Sequence, residues 1–406
     1  MYNTSQQPLT TFHGLGIAPG LLQVLEKLRF ATPTPIQQRS IPSAIEGKDM
    51  IGVAQTGTGK TLAFGIPMIQ RLAQVKGGRG LVLLPTRELA LQVDEELHKI
   101  GRPLGLKTAV FIGGAAMSPQ LNAIRRNPHI IIATPGRLID HLNQKNLNLS
   151  DVKILVLDEA DRMLDMGFQP QIERILHAVP KDRQTMLFSA TIPAQILQIA
   201  QTHMKLPIQI EVAPSGTTVE SVTQEIFIVE KAAKLRLLAA LLKEHRGSTL
   251  VFTRTKFGAK RITKAVRDLG ESAAEIHSNR SLSQRREALE GFRSGRFRVL
   301  VATDIASRGI DVKGIETVVN YDLPSQAEDY VHRIGRTGRM GMAGHAISFA
   351  TPEERNEVRS IERLIRKPIP VSPHPAGFPE EFGARTEFNP PRPVRYPGMN
   401  RRRRRW

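Results

Sequence analysis

Three carboxylates stand directly after an apolar run, where a charged side chain is costly to bury. The run is residues 154–157, and Asp158, Glu159 and Asp161 follow it closely. An ionised carboxylate in a buried setting needs a cation or hydrogen-bond donors to offset its lost hydration. The sequence therefore indicates either a bound cation at this point or partners elsewhere in the fold.

A glycine-rich segment earlier in the chain suggests which cation this is. Residues 54–61 read AQTGTGKT and lie between an apolar run and a helical stretch that starts at Lys60. Such loops cradle phosphates with backbone N–H groups at a helix N-terminus. In this pattern Lys60 reaches the β- and γ-phosphates of a nucleotide and Thr61 binds Mg²⁺, so the suggested cation is the Mg²⁺ of a bound nucleotide. Ala54 stands where the usual pattern begins with Gly.

The acid at the end of a second strand then completes the magnesium site, and Asp158 fits that position. Glu159 beside it is suited to orient and deprotonate the attacking water. The alternatives are a glycine-rich turn before an ordinary helix and a surface acid cluster that caps the next helix. GKT between a strand and a helix, with the acids at the end of another apolar strand, favours the nucleotide interpretation.

Alternating apolar runs and amphipathic segments must position these residues. Near-continuous apolar runs followed by helices predict a parallel sheet with both faces covered, and ligands bind such sheets at the carboxyl ends of the strands. The predicted strands lie in 50–54, 80–86, 129–135, 153–160 and 184–191. After the polar stretch 213–221 the pattern restarts with strands in 249–255, 298–304, 317–324 and 345–350. A helical stretch at 352–367 closes the second unit.

Composition narrows the class of protein. A chain of 406 residues with 40% hydrophobic content predicts two globular domains. The absence of cysteine excludes disulfides, thiolate zinc sites and cysteine nucleophiles. No signal peptide or bilayer-spanning run is evident, so a cytoplasmic protein without a membrane partner is expected.

The positive charge favours a polyanionic partner. Of the net +19, residues from 369 onward carry +5, from eight Arg and three acids, which leaves +14 on the rest. Because the body of the chain is itself basic, nucleic acid is the leading partner class.

The chain resembles the DEAD-box RNA helicases over about residues 12–367, because it contains the motifs of that family in the same order. Phe12 lies upstream, and the motifs are RFATPTPIQ (29–37), AQTGTGKT (54–61), PTRELALQ (85–92), GG (113–114), TPGRL (134–138), DEAD (158–161), SAT (189–191), LVFTRT (250–255), ATDIASRGID (302–311) and HRIGRTGR (332–339). The fine pattern is most similar to the bacterial RhlE-like subgroup.

Composition predicts a polar linker at 213–221 and a disordered basic tail at 369–406, because neither segment is apolar enough to bury a core. The resemblance implies an α/β fold of two tandem RecA-like domains, each a parallel sheet flanked by helices, over 1–212 and 222–368. It also implies ATP and Mg²⁺ as cofactors, and RNA-stimulated ATP hydrolysis that drives local, non-processive unwinding of short duplexes and RNA–protein remodelling.

Roles at the ATP site follow by resemblance. Gln37 reads the adenine edge, which an amide can pair as donor and acceptor together, and Phe30 stacks on the base. Asp311 binds the ribose hydroxyls, and Gly309 allows a close backbone approach. The phosphate loop comprises Ala54, Gln55, Thr56, Gly57, Thr58, Gly59, Lys60 and Thr61.

Catalytic and coupling roles are implied in the same way. Arg336 and Arg339 are the expected arginine fingers for the γ-phosphate, with contacts to the RNA backbone as the alternative. Asp161 is expected to couple the nucleotide site to the second domain through Ser189, Thr191 and His332.

The implied RNA contacts are small or basic residues suited to backbone recognition with little sequence preference. They are Pro85, Thr86, Arg87, Gly113, Gly114, Thr134, Gly136 and Arg137 in the first domain, and Arg254, Arg285 and Thr303 in the second. The departures from the family pattern are Leu282, where Gln is usual, and Ser278, where Gly is common.

Several alternatives stay open at this point. A DNA helicase or translocase of the same superfamily is one, and an ATP-gated RNA clamp without useful unwinding is another. The five consecutive arginines near the C-terminus predict salt-sensitive attachment to RNA, with a functionless solvated end as the alternative. A monomer that works with ribosomal or RNA-decay complexes is the simplest expectation.

Overall fold

The computed structural model describes residues 11–54, 57–75, 77–212, 222–304, 314–338, 344–375 and 378. Gln55, Thr56, Gly309, Asp311 and Arg339 lie outside these residues, as do the predicted linker 213–221 and the end of the chain from 379.

A seven-stranded parallel sheet organises the first domain, in the order β3-β4-β2-β5-β6-β1-β7. Its apolar strands are buried on both faces and separate two hydrophobic clusters, as predicted for a parallel sheet. The strands are β1 Met50–Val53, β2 Arg79–Leu83, β3 Thr108–Phe111, β4 Ile130–Ala133, β5 Val152–Leu157, β6 Gln184–Ser189 and β7 Ile208–Glu211. The helices are α1 Pro19–Lys27, α2 Pro35–Ile45, α3 Lys60–Gln74, α4 Arg87–Gly101, α5 Met117–Arg125, α6 Pro135–Asn143, α7 Ala160–Asp165, α8 Gln169–Ala178 and α9 Ala194–His203.

A six-stranded parallel sheet organises the second domain, in the order β10-β11-β9-β12-β13-β8. The strands are β8 Val222–Ile228, β9 Thr249–Phe252, β10 Ala273–Ile276, β11 Val299–Ala302, β12 Thr317–Asn320 and β13 Gly344–Ala350. The described helices are α10 Lys234–Glu244, α11 Lys256–Asp268, α12 Leu282–Arg293, α13 Ala327–Ile334 and α14 Arg355–Ile365. The prediction of two parallel-sheet α/β domains is confirmed.

Four strands are not predicted by the apolar pattern, and all four are edge strands of the two sheets. These are β3, β7, β8 and β10. Three of them carry half-buried or exposed positions, because an edge strand is covered less completely than a central one. They therefore lack the continuous apolar run by which a buried parallel strand is recognised.

Contacts of the second domain extend a few residues beyond the predicted boundary at residue 368. Ile369 is buried in a cluster with Tyr330 and Val358. The amide of Ile226 in β8 donates to the carbonyl of Pro370, and the amide of Ser372 donates to the carbonyl of Ile226. The composition of the Pro- and Arg-rich segment concealed this short paired stretch, which belongs to the second domain.

Among the residues that the structure describes, no helix has both the length and the apolar character needed to cross a bilayer.

Candidate active site

The glycine-rich loop meets the start of α2 through Gln37. The side-chain oxygen of Gln37 accepts from the amide of Thr34 at 2.9 Å, and its amide nitrogen donates to the carbonyl of Gly59 at 2.9 Å. Gly59 has φ 91°, and a Cβ at this position would overlap the Gln37 side chain. The amide of Gln37 keeps a second N–H and a second lone pair, which are what an adenine edge needs.

A cavity of about 750 Å³ opens beside this loop. Phe30, 37% exposed, lies on its wall. The lining combines residues of the first domain with Arg293, the last residue of α12 in the second domain. The cavity is large enough for a small-molecule ligand, and the lining also includes Phe12, Gln37, Gly57, Gly59, Lys60, Thr61, Asp158 and Glu159.

Lys60 and Asp158 face each other at the floor of this cavity. The Lys60 Nζ lies 3.7 Å from the Asp158 Oδ1, and both side chains are buried. Burial raises the pKa of Asp158 to about 6; Lys60 opposes that rise, while Glu159 and Asp161 add to it. A carboxylate with so little hydration would gain from a cation, which fits a magnesium ligand.

Glu159 follows in a left-handed conformation, with φ 52°, at the N-terminus of α7. Its carboxylate accepts a hydrogen bond from the guanidinium of Arg162, and both side chains are buried. Glu159 lines the cavity, whereas Arg162 lies on its other side, toward the second domain. The Glu159 carboxylate is therefore between the cavity and Arg162.

Asp161 is held by the turn that follows β6. One carboxylate oxygen accepts from the amides of Ala190 and Thr191, at 3.1 and 2.9 Å, and from the Thr191 hydroxyl at 2.9 Å. The amide of Asp161 donates to the hydroxyl of Ser189 at 3.3 Å. The structure thus brings together Asp161, Ser189 and Thr191, which the sequence grouped by resemblance alone.

His332 approaches the same acids from the second domain. Its pKa is lowered to about 4, first by burial and then by Arg162, while Asp161 and Glu159 work in the opposite direction. The Arg336 Nε donates to the carbonyl of His332 at 3.2 Å. His332, Arg336 and Arg162 line one small cleft, so α13 faces the acidic motif of the first domain.

Predicted RNA contacts of the first domain lie at the carboxyl ends of β2, β3 and β4, which are neighbours in the sheet. Thr86 and Thr134 are the N-caps of α4 and α6, and the guanidinium of Arg87 packs against Gly113 and Gly114. A Cβ on Gly136 would meet no atom within 4 Å. Pro85 precedes the α4 cap, and Arg137 donates to the carbonyl of Ala115 at 3.0 Å.

The predicted RNA contacts of the second domain differ from one another in their surroundings. Thr303 follows β11, and its amide donates to the carbonyl of Ile276. The Arg254 guanidinium donates to the carbonyl of Leu323 at 3.1 Å and remains about half exposed. Arg285 instead lies 3.0 Å from Glu88 of the first domain, so in this arrangement it joins the domains.

Three residues of the site were missed by the sequence reading. Arg162 directly follows the DEAD motif and pairs with Glu159, three residues earlier in the chain. Glu88 lies within the PTRELALQ motif, and its partner Arg285 comes from the second domain. Arg293 had no signal in the sequence beyond its position in a basic helix. No pattern in the chain could have paired Glu88 with Arg285, or placed Arg293 at the cavity, because these residues are far apart in the sequence.

Comparison with known protein families decides the identity of the chain. Residues 34–199 match the DEAD/DEAH box helicase model, and residues 233–341 match the helicase conserved C-terminal domain. This chain is a DEAD-box ATP-dependent RNA helicase.

Relatives of this DEAD-box helicase occur in bacteria and fungi. The DEAD-box ATP-dependent RNA helicase CshA of Bacillus cereus is 44% identical over 361 residues, which cover 88% of this chain and 69% of the relative. The ATP-dependent rRNA helicase RRP3 of Meyerozyma guilliermondii is 41% identical over 374 residues, covering 91% and 79%. The narrower RhlE-like subgroup stays a prediction.

A solved structure with the same two-domain fold is S. cerevisiae Dbp5 bound to RNA and ADP BeF3. It superposes with a TM-score of 0.81 at 31% identity, covering 90% of this DEAD-box helicase and 96% of the Dbp5 chain. The RecA-like assignment of both domains follows from this match together with the two parallel sheets.

Proposed function

We propose that ATP and RNA together close the two domains, and that hydrolysis of ATP reopens them after one short stretch of duplex has been separated. One observation carries this proposal: the nucleotide cavity and the acidic motif are both lined by residues of the two domains. Arg293 reaches the cavity, and His332 reaches Asp161. A ligand that contacts both domains favours the closed state in proportion to its greater affinity for it.

Different residues of the cavity are proposed to bind the base, the ribose and the phosphates of ATP. Gln37 and Phe30 suit the base, and the loop from Ala54 to Thr61, including Gln55, Thr56 and Thr58, suits the phosphates. Gly309 and Asp311 are proposed for the ribose, and Arg336 with Arg339 for the γ-phosphate. Lys60 would neutralise phosphate charge from its buried position beside Asp158.

Thr61 and Asp158 would hold Mg²⁺ in this proposal. The fit rests on the desolvated carboxylate of Asp158, whose raised pKa indicates a deficit of positive charge. Bound there, the ion would supply Lewis-acid polarisation of the phosphates.

Glu159 is the proposed base, and Arg162 positions it. The Arg162 guanidinium holds the Glu159 carboxylate in the buried site, and a carboxylate held in this way can accept a proton from water. Arg162 also lies beside His332, so closure of the second domain affects the same group that orients the base.

RNA would be held by its backbone. Thr86 and Thr134 at helix N-termini, with Gly113, Gly114 and Gly136 beside them, suit phosphate and sugar contacts rather than base readout. Little sequence preference follows, and recognition of the 2′-OH would separate RNA from DNA.

One chain supplies every residue named for the site, so a monomer suffices for the proposed cycle. We place its work in the cytoplasm, on RNA within ribosomal or RNA-decay complexes. The absence of cysteine agrees with a reducing compartment.

The test is a Glu159→Gln variant in three assays. It should bind ATP and RNA like the wild type but lose RNA-stimulated ATP hydrolysis and strand displacement on a short duplex. Normal hydrolysis by this variant would overturn the base assignment. Wild-type protein that binds and hydrolyses but separates no duplex would favour an ATP-gated clamp, and stronger stimulation by DNA would favour a DNA translocase.

A further inference from the structure

Two histidines and a glutamate meet on the second domain, away from the nucleotide cavity. They are Glu225 in β8, His245 just after α10 and His345 at the start of β13. One ring nitrogen of each histidine and a carboxylate oxygen of Glu225 all lie within 4.8 Å of one another. From this cluster we propose a binding site for one borderline divalent transition-metal ion, with Zn²⁺ as the probe.

The donor set fits such an ion better than it fits Mg²⁺ or Ca²⁺. Imidazole nitrogen is a ligand for Zn²⁺, Ni²⁺ and Cu²⁺, whereas Mg²⁺ and Ca²⁺ take oxygen. Two His and one carboxylate form a three-ligand set that leaves a position for water on a tetrahedral ion. Modest side-chain rotations bring donors that are within 4.8 Å of one another to the roughly 2 Å bonds of zinc.

The contacts among His245, His345 and Glu225 place their ring nitrogens and carboxylate oxygen where they could bind a metal ion. His345 Nε2 lies 2.9 Å from Glu225 Oε1, and the two imidazole rings meet edge-on with centroids 4.9 Å apart. Among the described residues, no hydrogen bond to a ring nitrogen of His245 is found.

A fourth residue orients the carboxylate. The Ser372 hydroxyl donates to the other oxygen of Glu225, Oε2, and thereby directs Oε1 toward the histidines. Outer partners of this kind fix the orientation of metal ligands in known sites. Because Ser372 lies in the stretch that pairs with β8, a bound ion would also fasten that stretch to the sheet.

The location separates this site from ATP and RNA. His345 is the second residue of β13, Glu225 is the central residue of the neighbouring parallel strand β8, and His245 follows the last residue of α10. The phosphate loop and the acidic motif follow the carboxyl ends of strands. The proposed ion would therefore hold α10, β8, β13 and the Ser372 stretch together and take no part in hydrolysis.

A comparable trio in the first domain provides a matched control. His203 Nε2 lies 3.1 Å from Glu173 Oε2, and His177 packs edge-on against His203. There His177 Nδ1 already lies 2.7 Å from the carbonyl of Glu173, and the three side chains do not offer converging donors. A His203→Gln variant thus removes a carboxylate-paired histidine without touching the proposed site.

The experiment is calorimetric titration of full-length, chelator-treated protein with Zn²⁺ in excess Mg²⁺. Because the chain has no cysteine, thiolates contribute no background. We expect one strong site per chain in wild type and His203→Gln, and at least a ten-fold loss of affinity in His245→Gln and His345→Gln. Ser372→Ala should weaken binding by about ten-fold.

Substitution with Co²⁺ gives a second readout, because visible bands of a four-coordinate Co²⁺ ion should appear in wild type and vanish in both histidine variants. RNA-stimulated ATP hydrolysis should persist in the variants, which shows that they are folded. Absence of a strong site in the wild type, or equal affinity in His245→Gln, His345→Gln and His203→Gln, would overturn the proposal.

Discussion

Arg285 of α12 and Glu88 of α4 form an ion pair across the two domains, with 3.0 Å between Arg285 Nη2 and Glu88 Oε2. Both side chains are largely buried, at 11% and 5% exposure. Burial lowers the pKa of Arg285, and Glu88 acts in the opposite direction. Among the residues that the structure describes, neither oxygen of Glu88 has an aligned hydrogen-bond donor, so the contact acts through charge and proximity.

Breaking this pair should weaken domain closure. Glu88→Gln leaves the buried Arg285 without a counter-charge in the closed state only, at a cost of about 1–3 kcal/mol. Domain closure can be followed by fluorescence transfer between dyes on the two domains, as RNA is added in the presence of a non-hydrolysable ATP analogue. Glu88→Gln should need a higher RNA concentration than wild type to close. Glu271→Gln, which breaks a pair with Arg298 inside the second domain, is the control. Closure of Glu88→Gln at the same RNA concentration as wild type would contradict this role and favour direct contact of Arg285 with RNA.

Replacing Asp158 by Asn should stabilise the nucleotide-free protein at neutral pH. The folded-state pKa of Asp158, about 6, lies above its ordinary value of 3.8, so ionised Asp158 opposes folding. Stability contributed by the protonated form is complete below about pH 4 and is lost as pH rises through 6. Since the raised pKa already includes the attraction of Lys60, Asn should gain about 1–3 kcal/mol at pH 7.5. Thermal unfolding should show this gain shrinking from pH 6 toward 4, together with loss of ATP hydrolysis; a gain that is constant with pH would contradict the cause given.

Acidification should open the domains through His332. The pKa of His332 is lowered in the described arrangement, where α13 faces the acidic motif. Neutral His332 therefore stabilises this contact between the domains, and its contribution is lost as pH falls from the ordinary pKa of 6.5 toward 4. If opening restores the ordinary pKa, RNA affinity with an ATP analogue should fall by about four-fold more between pH 7.5 and 6.0 than it does in His332→Gln. His177→Gln should behave as wild type. Identical pH profiles for wild type and His332→Gln would mean that the histidine keeps its proton affinity when the domains part.

Two glycines at the proposed RNA surface should respond differently to alanine. Gly136 lies in α6 and a Cβ there meets open space, so Gly136→Ala should be at least as stable as wild type but bind RNA several-fold more weakly if the backbone of RNA approaches there. Gly114 has φ 70° and a Cβ would overlap Arg87, so Gly114→Ala should lose about 1 kcal/mol or more of unfolding free energy. Denaturant unfolding and an RNA titration distinguish the two, and unaltered RNA binding by Gly136→Ala would remove that residue from the surface.

The central strands could be predicted because a strand buried on both faces must be apolar throughout, as in Leu81–Leu83 and Ile130–Ile132. The motif residues could be predicted because their types and order are tied to phosphate chemistry and to a known family. Both signals are local in the chain.

What escaped prediction depends on distant parts of the chain meeting. Glu88 with Arg285, and Glu225 with His245 and His345, are ordinary surface-type residues until the fold brings them together. Arg162 differs from these, because it lies only three residues after Glu159, a spacing at which helical side chains meet. Edge strands such as β7 escaped for the opposite reason, since partial exposure removes the apolar run. The predicted boundary at 368 rests on composition, which averages over a segment, whereas a few backbone hydrogen bonds carry contacts of the second domain beyond it.

The pairing of Ile226 with Pro370 and Ser372 also has a consequence for solubility. β8 is the last strand of its sheet, and the bonds to residues 370 and 372 occupy backbone groups that would otherwise face solvent. Exposed strand edges recruit other chains and promote aggregation. A protein shortened to end at residue 368 would therefore self-associate more readily than one ending beyond 375, even though both retain the complete catalytic apparatus.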